Sequence, residues 1–187
     1  MKILLMDRDG TINRSPGLGR YVESWEVFEF REDTVEAMKV LADDGYSFIV
    51  ITNQAGIASG IVEAEEVDRI HRNMRRSLAD LGICVLEVYL CSDPPGIGSM
   101  MRKPGPGMFE EAARDHGFRL GSVLYVGDDP RDCEAAVNAG CGMVLLGNEL
   151  EFKNLPMNPV HSSVSRSLGR ALKDVHRFYS KVSDGVR

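Results

Sequence analysis

An apolar run at residues 3–6 ends abruptly in Asp7-Arg8-Asp9-Gly10-Thr11. If the run is a strand, residues two apart project to the same side, so Asp7 and Asp9 enter one crevice. Two carboxylates held that close resist joint ionisation unless a cation lies between them or one keeps its proton. The pair therefore needs a chemical reason, although Asp-x-Asp-Gly alone is also ordinary turn material.

Three further stretches share this placement. Residues 47–52 lead into Thr52-Asn53-Gln54, a hydroxyl and two amides whose neutral donors suit phosphate oxygens. Thr-Asn after a strand is also a common turn or helix cap. Arg102-Lys103-Pro104 offers two adjacent cations. In isolation they read as a solvated pair, but a lysine brought to carboxylates neutralises both a nucleophile and a transferring phosphoryl group. Residues 123–126 run into Gly127-Asp128-Asp129-Pro130-Arg131-Asp132. A helix cap accounts for one of these acids; another at the strand end adds the negative charge that a hard, oxygen-liganded cation requires. Four strand ends that supply an acid pair, a hydroxyl with amides, a cation pair and an acid cluster point together to cation-assisted phosphoryl chemistry.

The elements that must position these groups alternate. Short apolar runs at 3–6, 47–52, 85–90, 123–126 and 143–146 predict strands, and apolar residues at helical spacing over 32–43, 63–81, 107–116 and 131–139 predict helices between them. Gly45, Gly82, Gly117 and Gly140 stand where helix C-caps belong. The pattern is that of a doubly wound, mostly parallel α/β sheet, in which ligands sit beyond the carboxyl ends of the strands. Residues 13–30 and 92–106 break the rhythm and read as long loops of the functional kind. Residues 149–161 look irregular, and 164–179 predict a last helix.

A chain of 187 residues, 43% hydrophobic, fits a single domain over residues 1–187 with one sizeable core. The net charge of -6, with no standing cluster of Lys and Arg, argues against a nucleic-acid partner and for a small solute. The apolar start is too short for a signal peptide and no run is long enough to span a bilayer, so a cytoplasmic protein without membrane contact is expected. Cys84, Cys91, Cys133 and Cys141 are irregularly spaced and are expected as reduced thiols. Met38, Met74, Met108 and Met143 are expected in the core. Trp25, Phe28 and Phe30 should pack their loop onto the domain, and His71, His116, His161 and His176 should lie on the surface.

The order Asp-x-Asp-Gly-Thr, Thr-Asn, Arg-Lys-Pro and Gly-Asp-Asp-x-x-Asp, over residues 7–132, resembles the four motifs of the haloacid dehalogenase superfamily. Asp-Arg-Asp-Gly-Thr-Ile-Asn, Thr-Asn-Gln-Ala-Gly-Ile-Ala-Ser-Gly and Arg-Lys-Pro-Gly-Pro-Gly-Met-Phe are similar to one branch. That branch comprises the D-glycero-D-manno-heptose 1,7-bisphosphate phosphatases and the histidinol-phosphatase group.

The resemblance implies a Rossmann-like core without a large cap domain. It implies a magnesium-dependent phosphomonoester hydrolase acting on a small phosphorylated metabolite: a sugar (heptose) phosphate or bisphosphate, or alternatively histidinol phosphate or another small phosphomonoester. It further implies Asp7 as a nucleophile that becomes an aspartyl-phosphate, and Asp9 as the acid that protonates the leaving alcohol and then the base that activates water. Magnesium would bind the carboxylates of Asp7 and Asp128 and the backbone carbonyl of Asp9. Thr52 would donate to the phosphoryl oxygens, Lys103 would stabilise the developing charge, and Arg102, Asn53 and Gln54 would hold substrate. Asp129 and Asp132 would stand one layer behind the metal.

Two departures from the branch stand out. It commonly carries zinc on Cys-x-His and Cys-x-Cys, whereas here Cys91 is followed by Asp93 in place of His, and Ser99 and Met101 replace the final pair. Structural zinc takes four ligands, so zinc is not expected. The loop should instead be ordered by Pro94, Pro95 and packing of Met100 and Met101. Asp129 stands where the heptose enzymes often place a lysine, and an anion there disfavours a second phosphate, which puts a monophosphate beside a bisphosphate as substrate.

Two other classes of function fit parts of the pattern. A phosphorylatable receiver-like signalling module would place its accepting Asp after the third strand, but that strand runs into Cys91-Ser92-Asp93. A non-catalytic binding module would have no need of Asp7, Asp9, Lys103 and Asp128 together. Phosphotransfer to an acceptor other than water stays open, because the same aspartyl-phosphate serves both reactions.

Overall fold

The computed structural model of the protein describes residues 2–148 and 158–184. The five apolar runs form strands Lys2–Met6 (β1), Tyr46–Asn53 (β2), Val85–Cys91 (β3), Leu124–Gly127 (β4) and Gly142–Leu146 (β5). Ile3 and Leu5 face one side of the sheet and Leu4 and Met6 the other, and all four are buried. A strand covered on both faces needs an unbroken apolar run, which is why the inner strands β1, β4 and β5 lack alternation with polar residues. The sheet is parallel throughout, in the order β3-β2-β1-β4-β5-β6. It winds outward from β1 in one direction and from β4 in the other, which opens a crevice between β1 and β4 at their carboxyl ends.

The helices are Glu32–Asp43 (α1), Ala64–Ala79 (α2), Gly107–His116 (α3), Pro130–Ala139 (α4) and Leu168–Asp184 (α5). Helices α1, α2 and α5 cover the Leu4–Met6 face with Met38, Leu41, Ile70, Met74, Val175 and Phe178. On the other face α3 and α4 bring Met108, Phe109, Ala112, Ala135 and Ala136. Met38, Met74, Met108 and Met143 are all in these cores, as expected. The four cap glycines all take positive φ. Trp25 stacks on Phe28 at a centroid distance of 5.0 Å, Phe30 meets Phe28 and Trp25 edge to face at 5.0 and 6.1 Å, and the three pack against the α1–α2 core. A bridge between Asn13 and Phe30 closes the base of their loop.

One element departs from the sequence expectation. Ser162–Ser165 forms a sixth strand, β6, paired with β5 from Met143↔Ser162 to Leu146↔Ser165. The predicted helix over 164–179 therefore begins later, at Leu168, and runs to Asp184. Ser-Ser-Val-Ser has no apolar periodicity of its own; the open edge of β5 supplies the backbone partners that make it a strand. Most of the irregular stretch predicted over 149–161 lies outside the described residues. No cap domain interrupts the described residues, and none of their helices is long and apolar enough to cross a membrane.

Candidate active site

The carboxyl end of β1 places Asp7, whose backbone N–H donates to Val126 O at 2.8 Å and so locks it between β2 and β4. Its carboxylate is nearly enclosed and accepts from Lys103 Nζ at 2.6 Å (Oδ1). That ammonium spends its three donors on Asp7 Oδ1, Asp132 Oδ1 at 2.8 Å and Tyr125 Oη at 2.7 Å. Lys103 sits on a loop, but Asn53 at the end of β2 clamps its backbone. Asn53 Nδ2 donates to Lys103 O at 3.1 Å, and Lys103 N donates to Asn53 Oδ1 at 3.0 Å. Tyr125 is fixed from behind by Phe109, ring edge to face at 4.9 Å, a contact worth about 0.5–1.5 kcal/mol beyond its burial.

Helix α4 starts at the acid cluster. Asp129 caps it by accepting from Arg131 N at 2.9 Å. Asp132 turns back so that Oδ2 accepts from the backbone of Asp128 and Asp129, both at 3.1 Å. Asp128 remains free to face Asp7 and is touched by Thr11 Oγ1 at 3.3 Å. Oxygens of Asp7, Asp128 and Asp132 lie within 4.8 Å of one another. Burial, Asp132 and Asp128 push the Asp7 carboxyl up to about 8 against the pull of Lys103, and burial with Asp132 pushes Asp128 up to about 6. Asp132 and Asp7 in turn hold Lys103 above the usual lysine range despite burial. Strained acids offering hard oxygens are what a cation such as magnesium relieves, and the donor set suits it. Asp132 already serves four donors, so Asp7 and Asp128 are the carboxylates left for a metal.

Gly10 makes this approach possible. At φ +88° a Cβ there would lie 1.9 Å from Asp128 Oδ2. Gly10→Ala is therefore expected to displace Asp128 and to cost about 1–3 kcal/mol of stability, read by denaturant unfolding. An unchanged unfolding midpoint would show that the turn has room the geometry denies.

The second acid is held differently. Arg8 Nη2 donates to Asp9 Oδ1 and Oδ2 at 2.9 and 2.8 Å, Asn13 Nδ2 to Oδ1 at 2.9 Å and Gln54 Nε2 to Oδ2 at 2.9 Å. Burial alone would raise the Asp9 pKa, but the Arg8 charge and these hydrogen bonds outweigh it and hold Asp9 below the usual carboxylate range.

Above these residues opens a cavity of about 500 Å³ lined by Asp7, Asp9, Thr52, Asn53, Arg102, Lys103, Asp128, Asp129 and Asp132, with Arg20, Arg131 and the 15–21 loop as its outer wall. Residues 2–139, which contain every group at its base, match the family described as polynucleotide kinase 3 phosphatase. The chain belongs to this family of haloacid dehalogenase-type phosphatases. The D-glycero-beta-D-manno-heptose-1,7-bisphosphate 7-phosphatase of Bordetella bronchiseptica is 34% identical over 150 residues, 79% of this chain and 83% of that one. The D-glycero-alpha-D-manno-heptose-1,7-bisphosphate 7-phosphatase of Burkholderia mallei is 39% identical over 152 residues, 78% and 79% of the two chains. A crystal structure of the D,D-heptose 1,7-bisphosphate phosphatase from B. bronchiseptica, complexed with magnesium and phosphate, superposes with a TM-score of 0.84 at 30% identity, covering 95% of this chain and 99% of that one. The protein is thus an enzyme, a phosphoric monoester hydrolase.

Of the residues singled out from the sequence, the phosphatase gathers all but one around this cavity. Gln54 is buried outside the lining, and its amide serves Asp9, Thr52 Oγ1 at 2.8 Å and Arg8 at 3.1 Å. Sequence reasoning gave no role to Arg8, Asn13, Tyr125, Arg20 or Arg131. Arg8 was legible in part, since a residue between two acids that face the crevice must turn the other way, into the core. His71 is corrected outright. It is buried at 6% exposure and meets Arg8 Nη1 at 2.9 Å.

The 92–101 loop of the phosphatase also differs from expectation. Met100 and Met101 are exposed rather than packed. Order comes from Ser99 Oγ, which donates to Asp93 in a short hydrogen bond and accepts from the backbone N–H of Met101 and Arg102 at 3.2 and 3.3 Å. Arg102 Nη1 closes the clasp on Asp93 O at 2.9 Å. A hydroxyl flanked by a carboxylate and two amides ties this loop where methionine packing does not.

Proposed function

We propose that the protein hydrolyses a sugar phosphate, with D-glycero-D-manno-heptose 1,7-bisphosphate as the first candidate, through a phosphorylated Asp7. The observation that carries this reading is the Lys103 ammonium 2.6 Å from Asp7 in a cavity whose wall also holds Arg20, Arg102 and Arg131. In the first step an Asp7 oxygen bonds to phosphorus while the ester oxygen departs, taking a proton from Asp9. In the second, Asp9 removes a proton from water, whose oxygen attacks phosphorus and frees phosphate and Asp7. Arg8, Asn13 and Gln54 hold Asp9 ionised in the resting site, the form the second step uses. For the first step Asp9 takes up a proton as the negative phosphoryl group arrives beside it, which raises its proton affinity. Lys103 balances charge on Asp7 and on the transferring group, and Thr52 donates to the phosphoryl oxygens. Magnesium on Asp7, Asp128 and the Asp9 carbonyl would neutralise phosphoryl charge.

Support for a bisphosphate comes from Arg131, which pairs with Asp129 at 2.8 and 2.9 Å. The anion expected to repel a second phosphate is thereby compensated, and Arg20 and Arg102 remain as cations on the same wall. Phosphate release with magnesium, measured over heptose 1,7-bisphosphate, sugar monophosphates, histidinol phosphate and nucleotides, should peak at the heptose bisphosphate. A flat, weak profile would end the heptose assignment.

Metal removal has a second readout. A carboxyl whose folded pKa is raised to about 8 favours folding while protonated, and that contribution is lost as pH rises toward 8. Between about pH 6.5 and 8 the other shifted groups contribute less. Asp128 at about 6 is mostly ionised already, and His71, held down to about 3, differs from its unfolded form only over the upper half of the free imidazole titration, an opposing gain of about 0.4 kcal/mol. In EDTA the protein should therefore lose on the order of 1–2 kcal/mol of unfolding free energy between pH 6.5 and 8. Magnesium should flatten that slope by favouring ionised Asp7. Identical slopes with and without the ion would count against metal binding at Asp7.

A further inference from the structure

The Arg8 guanidinium has three partners, Asp9, Gln54 and His71, and only Asp9 takes part in the reaction proposed above. Arg8 is fully buried. Its Nε and Nη2 fork Asp9, Nη2 also reaches Gln54 Oε1 at 3.1 Å, and Nη1 meets His71 Nε2 at 2.9 Å. A guanidinium only donates, so Nε2 of His71 must accept, and the ring carries its proton on Nδ1. Burial and the Arg8 charge hold His71 down to about 3 against the opposing pull of Asp9, which keeps that lone pair free. His71 rides on α2 among Val67, Ile70 and Met74.

We propose that His71 is a positioning residue for the phosphatase reaction: with the Gln54 carbonyl, its Nε2 fixes the Arg8 guanidinium at the angle from which it forks the Asp9 carboxylate. The inference rests on the acid–base role of Asp9 proposed above. A guanidinium is a rigid plane, so its five donors move together. Without the His71 acceptor, Nη1 becomes a buried donor lacking a partner, and any rotation that finds it one carries Nε and Nη2 off Asp9. A small displacement of an acid–base group is costly, because proton transfer needs the reacting atoms in line.

The test is the leaving-group dependence of kcat/KM, which reports the first phosphoryl transfer. Phenyl phosphate and p-nitrophenyl phosphate have the same shape near phosphorus, but phenol leaves poorly without a proton and p-nitrophenol leaves well. His71→Phe keeps a ring and removes the acceptor. It is expected to lower kcat/KM for phenyl phosphate by roughly 10- to 100-fold, and for p-nitrophenyl phosphate by less than about threefold. His71→Gln, whose Oε1 can take the place of Nε2, should bring the ratio of the two substrates back toward that of the unmodified enzyme. Both substrates are measured on one preparation, so the ratio is independent of the fraction folded. An unchanged ratio in His71→Phe overturns the proposal, as does a His71→Gln ratio no better than that of His71→Phe. Asp9→Asn separates the two readings. If it keeps full activity on phenyl phosphate, the acid–base role itself fails; if it loses that activity while His71→Phe keeps the original ratio, only the positioning role fails.

Discussion

Asp7→Asn is expected to abolish phosphate release, by on the order of 10⁴-fold or more, the scale on which loss of a nucleophile acts in other enzymes. The amide keeps the shape of the side chain and still offers Lys103 an acceptor at the Oδ1 position. Asp132, 2.8 Å from the same ammonium, retains the opposite charge that Lys103 needs. Stability should therefore hold or rise, since a buried carboxyl pushed up to about 8 is replaced by a neutral group. Steady-state phosphate release and denaturant unfolding on the same preparation check both halves. Substantial magnesium-dependent turnover by this variant would sink the covalent mechanism.

Lys103→Met is expected to damage activity and fold together. Removing the ammonium leaves Asp7 and Asp132 facing each other across a buried space, and Tyr125 Oη loses its charged donor. Stripping the partner from a buried charge costs about 3–5 kcal/mol, and removing one electrostatic stabiliser of a transition state costs about 10²- to 10³-fold in kcat. The stability loss should shrink at lower pH, where Asp7, pushed up to about 8 even with Lys103 in place, takes up a proton, whereas the loss in kcat should persist wherever the enzyme folds. Lys103→Arg should not rescue, because a planar fork cannot point three donors at Asp7, Asp132 and Tyr125 as a tetrahedral ammonium does. A variant that unfolded at the original midpoint would show that the triad contributes little to the fold.

The two variants probe different levels of information. Asp7 was legible from its place at the end of an apolar run, and Lys103 only from its company with the other strand ends. That Lys103 answers to Asp132 and Tyr125 as well as Asp7 depends on α4 folding back under its own cap. His71 carried a readable signal too. It falls at helical spacing from Val67, Met74 and Leu78, so it shares the buried stripe of α2. A histidine on an apolar stripe must find a polar partner, but nothing local names it, since Arg8 lies 63 residues away. Gln54 directly follows β2, whose last residues are Thr52 and Asn53, and only the turn after β2 decides that its amide goes inward to Asp9 while Asn53 goes to the Lys103 backbone. Strand β6 was illegible for a related reason: its backbone pairs because β5 offers an edge, whatever Ser-Ser-Val-Ser would do alone.

By itself the sequence determined which groups reach the carboxyl edge of the sheet and in what order. Apolar runs that alternate regularly with helices favour parallel crossovers, and parallel strands all deliver their ends to one side. Tertiary structure decided who pairs with whom there. Buried charges must be satisfied by partners far apart along the chain, and that choice depends on packed geometry rather than on any local pattern.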